Sequence, residues 1–151
     1  MTDDRRQAPI TVYYDASCPL CAGEMDALKA RDATGALALV DCSTLAGDDT
    51  SAHGPVTRRA MMESLHVRTP DGRWRVGVDA YEAIFTAMGF TRLARVAAHP
   101  RLLPLWNRLY ASVARHRHRL PRHGLARLLS PFAARTPRRP HRTDRHDAGA
   151  A

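Results

Sequence analysis

Apolar residues recur along this chain at two spacings, every second position and every third or fourth, and the switches between them mark out its elements. Ile10-Thr-Val-Tyr-Tyr14 is a β-branched and aromatic run, short enough for a buried strand. It ends at Asp15-Ala-Ser-Cys-Pro, a turn that opens a helix. Pro19 suits the first helical position, where its missing N–H costs nothing and its φ is preset. Cys21, Met25 and Leu28 follow at helical spacing to about Asp32, and Gly35 closes the segment. Ala36-Leu-Ala-Leu-Val-Asp41 reads as a second buried strand. Strand, helix and strand in so short a stretch make a βαβ unit with parallel strands and a right-handed crossover.

Residues 42–55 read as a loop, and Val56–Met62 as a short helix. Leu65 and Val67 alternate with polar neighbours, Pro70-Asp71-Gly72 supplies turn chemistry, and Trp74, Val76 and Val78 alternate again. That pattern predicts a β-hairpin with one face buried. Asp79 with Glu82 three residues on resembles a capping box, which would start a helix through Tyr81, Ile84, Phe85 and Met88 that Gly89 stops. The order to residue 89 is β-α-β-α-β-β-α, an α/β sandwich. Beyond it, Leu102, Leu105, Trp106, Leu109 and Val113 form a helical apolar stripe, and residues 124–134 form a second amphipathic piece. From Thr136 onward almost nothing apolar remains to be buried. The chain thus divides into a domain over 10–89, a helical extension packed on it over 90–119, and a basic, partly disordered tail over 120–151.

Composition changes this picture in two places. The 151 residues carry a net charge of +8, but unevenly. Residues 1–90 hold 9 basic and 13 acidic groups, whereas residues 91–151 hold 14 basic and 2 acidic groups and six of the eight histidines. The basic excess belongs to the C-terminal third, where no zinc-finger, RNA-recognition or helix-turn-helix signature accompanies it. Three readings compete for that third: a helix packed on the domain with solvated arginines, attachment to an anionic membrane surface, and nucleic-acid contact through Arg135, Arg138, Arg139, Arg142 and Arg145. No apolar run approaches the roughly 18–20 residues that span a bilayer. The polar N-terminus lacks the apolar region of a signal peptide, which points to a cytoplasmic protein. Three cysteines are too few for a disulfide-stapled fold, so reduced thiols are expected.

The second change concerns Cys18-Pro19-Leu20-Cys21. With Pro19 as the first helical residue, Cys18 caps the helix and its sulfur faces free backbone N–H groups, which stabilise a thiolate. Cys21 lies one turn on, directed back toward Cys18. One sulfur can attack a substrate disulfide while the other resolves the mixed disulfide. Two other readings stand beside this one: a pair of small core residues, or half of a zinc site completed by ligands such as Cys42, His53 or His66, none at diagnostic spacing. Asp15 suits either a proton relay for Cys21 or, preferably, side-chain bonds that order the turn. Cys42 reads as a bystander, and His66 as a surface or packing residue.

Tyr13-Tyr14-Asp15-Ala16-Ser17-Cys18-Pro19-Leu20-Cys21 resembles the signature of the DCC family of thiol-disulfide oxidoreductases, also called DUF393, named for an Asp followed by two Cys. Leu65-His66-Val67, Pro70-Asp71-Gly72 and Gly77-Val78-Asp79-Ala80 match that family's later motifs, and the helix from Trp106 to Arg115 resembles its C-terminal segment. The resemblance covers residues 10–119. It implies a thioredoxin-like βαβ-α-ββ-α sandwich and a disulfide oxidoreductase role. Thioredoxins place a cis-proline just before the third strand; here that position falls among Met61, Met62 and Glu63, with Pro55 the nearest upstream proline.

The sequence therefore predicts thiol-disulfide exchange with Cys18 attacking, Cys21 resolving and Asp15 ordering the turn. No bound cofactor or metal is required, because the electrons reside on the two sulfurs. The partners would be a protein or small-molecule thiol or disulfide and an electron donor. The competing class is a non-enzymatic binding module that works through its basic C-terminal third, with structural or metal-binding cysteines.

Overall fold

A computed structural model of the chain describes residues 8–46 and 54–120. Four strands and five helices run in the order β1 (Ile10–Tyr14), α1 (Pro19–Lys29), β2 (Leu37–Asp41), α2 (Arg58–Glu63), β3 (His66–Arg68), β4 (Trp74–Val76), α3 (Val78–Ala87), α4 (Thr91–Ala97) and α5 (Leu103–His116). Single 3-10 turns follow β2 at Cys42–Thr44 and α5 at Arg117–Arg119. The sheet order is β2-β1-β3-β4. β1 and β2 are parallel, with Ile10 opposite Leu37 and Tyr14 opposite Asp41, while β3 is antiparallel to both β1 and β4. This is the mixed α/β sheet of the expected thioredoxin-like sandwich.

The pleat of β1 sorts its side chains onto two faces. Ile10 and Val12 join Met25 and Leu28 of α1, Val67 of β3 and Ile84 of α3 in the main core. Tyr13 points the other way and packs with Cys42 and Met61, so α2 covers the opposite face. The parallel pairing places the C-terminal ends of β1 and β2 side by side, which is where α/β sheets place ligands and reacting groups.

Several boundaries differ from the sequence pattern. α1 ends at Lys29 rather than near Asp32, because Asp32 turns back to accept the N–H groups of Ala36 and Leu37. Val76 is 45% exposed, on β4 at the sheet edge. Val78 belongs to α3 and not to the hairpin. The expected capping box at Asp79 is not formed: Gly77, at φ +61°, is the N-cap, and Asp79 sits within the first turn. The Tyr110 ring packs against that start, 3.3 Å from where a Cβ on Gly77 would sit.

The C-terminal helices meet this unit through part of the apolar stripe only. Leu105 and Leu109 are more than half exposed, and the contacts are made by Trp106 and Tyr110. Trp106 Nε1–H donates to the Val96 carbonyl at 3.1 Å, and the Tyr110 hydroxyl accepts the Leu65 N–H at 2.9 Å. The amphipathic piece at 124–134 and the basic tail lie outside the described residues, as do residues 1–7. Among the described residues no helix is long and apolar enough to cross a membrane.

Candidate active site

From β1 the chain turns through residues 15–17 into α1, and Asp15 holds that turn from within. Its carboxylate is buried; Oδ1 accepts the Ser17 N–H at 3.0 Å and the Ser17 hydroxyl, and its backbone carbonyl accepts the Cys18 N–H at 3.3 Å. Asp41, at the end of the adjacent parallel strand, braces the same turn by accepting the Ala16 N–H at 3.2 Å. Two carboxylates thus fix the approach to the helix. For Asp15 this geometry matches the turn-ordering reading.

Cys18 occupies the N-cap of α1 in extended conformation, and its Sγ accepts the Cys21 N–H at 3.4 Å. It is wholly inaccessible to solvent, whereas Cys21 is partly exposed. The Cys21 thiol is pushed up to about 12, first by burial, then by its hydrogen bond to Cys18 and by charge on Cys18, with Arg117 pulling the other way. Cys21 therefore holds its proton firmly, and the helix terminus faces the Cys18 sulfur.

Arg117 reaches this turn from the far end of the chain. Its guanidinium donates to the carbonyls of Met62 and Glu63 and lies 3.6 Å from Asp15 Oδ2. The 3-10 turn that carries it packs against α1. Met62 and Glu63 end α2 and lie in the stretch Met61–Glu63 where the sequence placed the thioredoxin cis-proline position, although β3 begins only at His66. No cis peptide occurs among the described residues, and here an arginine from the same chain takes those backbone carbonyls.

Beside Cys21 opens a cavity of about 480 Å3. Its wall runs from Leu20 and Met25 of α1 across Phe85 of α3 to Trp106 and Tyr110 of α5. Glu24, one turn beyond Cys21, also lines it and is only 5% exposed. Glu24 Oε2 accepts the Tyr81 hydroxyl at 2.7 Å, while Oε1 is buried without a hydrogen-bond partner among the described residues. Burial pushes the Glu24 carboxyl up to about 7, and the Tyr81 hydrogen bond offsets part of that rise. Burial and the charge on Glu24 raise Tyr81 well above the usual phenol range, so Tyr81 remains the donor.

The structure brings Asp15, Cys18 and Cys21 together and separates the rest. Cys42 is buried against Met61, with its Sγ 3.8 Å from the Met61 sulfur. Its thiol is pushed up to about 11, by burial and then by Asp41. His66 is buried, with Nδ1 2.8 Å from the Ser64 carbonyl oxygen and its ring edge-on to Trp74, so packing is its role. Among the described residues no three of His, Cys, Asp and Glu are arranged to hold a metal ion.

Four contributors escaped sequence reasoning: Glu24, Asp41, Tyr81 and Arg117. Glu24 alone carried a signal, its helical spacing of three from Cys21.

The family model for the DCC1-like thiol-disulfide oxidoreductase matches residues 12–123. No curated protein and no solved structure matches the chain significantly.

Proposed function

The chain belongs to the DCC1-like thiol-disulfide oxidoreductase family, and on that premise we propose that it exchanges dithiol and disulfide at Cys18 and Cys21. The Cys18 thiolate attacks a substrate disulfide: the substrate S–S bond breaks, a Cys18–substrate bond forms, and one substrate thiolate leaves. Cys21 then gives up its proton and attacks the Cys18 sulfur. The Cys18–Cys21 disulfide forms, the second substrate thiolate is released, and two electrons have passed from the dithiol to the substrate. Reversal of the same steps oxidises a substrate dithiol. An electron donor of the thiol class returns the pair to its reduced state.

One observation carries this reading. Cys18 sits at the cap of α1 with the Cys21 N–H on its sulfur, while the neighbouring thiol keeps its proton up to about 12. Attack and resolution are thereby divided between two sulfurs one turn apart. Asp15 acts as a positioning residue, since it holds the turn that presents Cys18. Cys18 is fully buried, so its turn opens for substrate to reach it, and we assign that opening to withdrawal of Arg117 from the Met62 and Glu63 carbonyls and from Asp15.

Titration of free thiols in glutathione redox buffers tests the proposal. A reversible intramolecular disulfide should form in the wild type and vanish in both Cys18→Ser and Cys21→Ser. The Cys21→Ser protein should accumulate a mixed disulfide on Cys18, mapped by peptide mass. Failure of any Cys18–Cys21 disulfide to form, or trapping on Cys42 instead, would remove the mechanism.

A further inference from the structure

Glu24 stands at the cavity beside Cys21 in a condition that thiol exchange does not explain. A buried carboxyl oxygen without a partner is costly, and proteins leave few of them unmatched. Tyr81 is committed to Oε2, so it cannot serve Oε1 as well. The walls around Glu24 are almost wholly apolar, with aromatic rings from Phe85 and Tyr81 of α3 to Trp106 and Tyr110 of α5. At the rim, Arg117 and Asp15 are engaged with each other and with backbone groups. A volume of about 480 Å3 is ordinary for a small-molecule site, and such sites pair apolar walls with a few placed polar atoms.

We propose that this cavity is a binding site for a small, mainly apolar alcohol or phenol whose hydroxyl donates to Glu24 Oε1. The apolar body fills the space between α1, α3 and α5, and the hydroxyl supplies the donor that Oε1 lacks among the described residues. An anionic ligand is disfavoured by the carboxyl group of Glu24, and a large polar one by the walls. The site does not depend on thiol exchange: ligand binding and disulfide formation are separate observables.

Calorimetric titration of the full chain with 4-propylphenol and with propylbenzene tests the assignment. The phenol should bind saturably and roughly 10-fold more tightly, the expected worth of one hydrogen bond to a buried carboxyl group. In Glu24→Leu the preference should fall to about one while propylbenzene still binds, which separates loss of the acceptor from loss of the fold. Ala114→Trp places a large ring at the cavity wall and should abolish binding of both probes. Equal affinity for the two probes in the wild type, absence of saturable binding, or unchanged binding in Ala114→Trp would each overturn the proposal. So would binding that appears only in a Leu128→Glu/Phe132→Glu variant, because the cavity would then belong to the chain's own C-terminal segment.

Discussion

Glu24 shows how one residue can carry a measurable signature of this site. Its carboxyl is raised to about 7 in the folded protein and returns to about 4.5 when the chain unfolds. Below pH 4.5 both states hold the proton and the fold keeps the full benefit. As pH rises from there through 7, the folded state keeps a proton that the unfolded state gives up, and stability is lost. The loss amounts to roughly 3 kcal/mol across that window. Urea denaturation of Glu24→Gln should show a flatter dependence between pH 4.5 and 7 than the wild type. Parallel curves for the two proteins would mean that Glu24 is not buried as described. The residues of the motif itself were legible in the sequence, because Asp15, Cys18 and Cys21 act within seven positions and their geometry is local. Glu24 was not, since a glutamate on a helix ordinarily reads as a solvated face. Its burial depends on α3 and α5, which meet it only in three dimensions.

Elements followed the same division between local and distant causes. The βαβ unit was readable because strand, Pro19-led helix and strand each carry their own pattern. α4 was not, since its buried residues are Ala94 and Ala97, which give little hydrophobic contrast. The start of α3 was misplaced, and the group packed against it comes from a distant element: Tyr110 on α5, whose ring presses on Gly77 while its hydroxyl takes the Leu65 N–H. Gly77 also adopts φ +61°, where a side chain is strained whatever the space. Gly77→Ala should therefore cost roughly 1–3 kcal/mol, read as a lowered urea midpoint with unchanged slope. A shift within error would deny that α5 and Gly77 are pressed together.

At the scale of the whole molecule, Arg117 ties the basic C-terminal third to the turn that carries Asp15. Arg117 appeared in the sequence as one arginine among many, and only the fold brings it to Asp15 and the Met62 and Glu63 carbonyls. Its removal should uncover Cys18. Arg117→Ala should raise the rate at which neutral iodoacetamide modifies Cys18 by about an order of magnitude, the worth of a charge-assisted hydrogen bond. Removing a nearby cation would by itself slow a thiolate, so an increase reports access and not charge; an unchanged or slower rate would contradict the cover. The same contact also has a consequence in time. The strand-helix unit that carries both sulfurs is synthesised before α5, and chains fold in that order. Residue 117 follows almost a hundred residues later than Cys18, so every newly made chain passes through an interval in which its dithiol stands without the Arg117 contact.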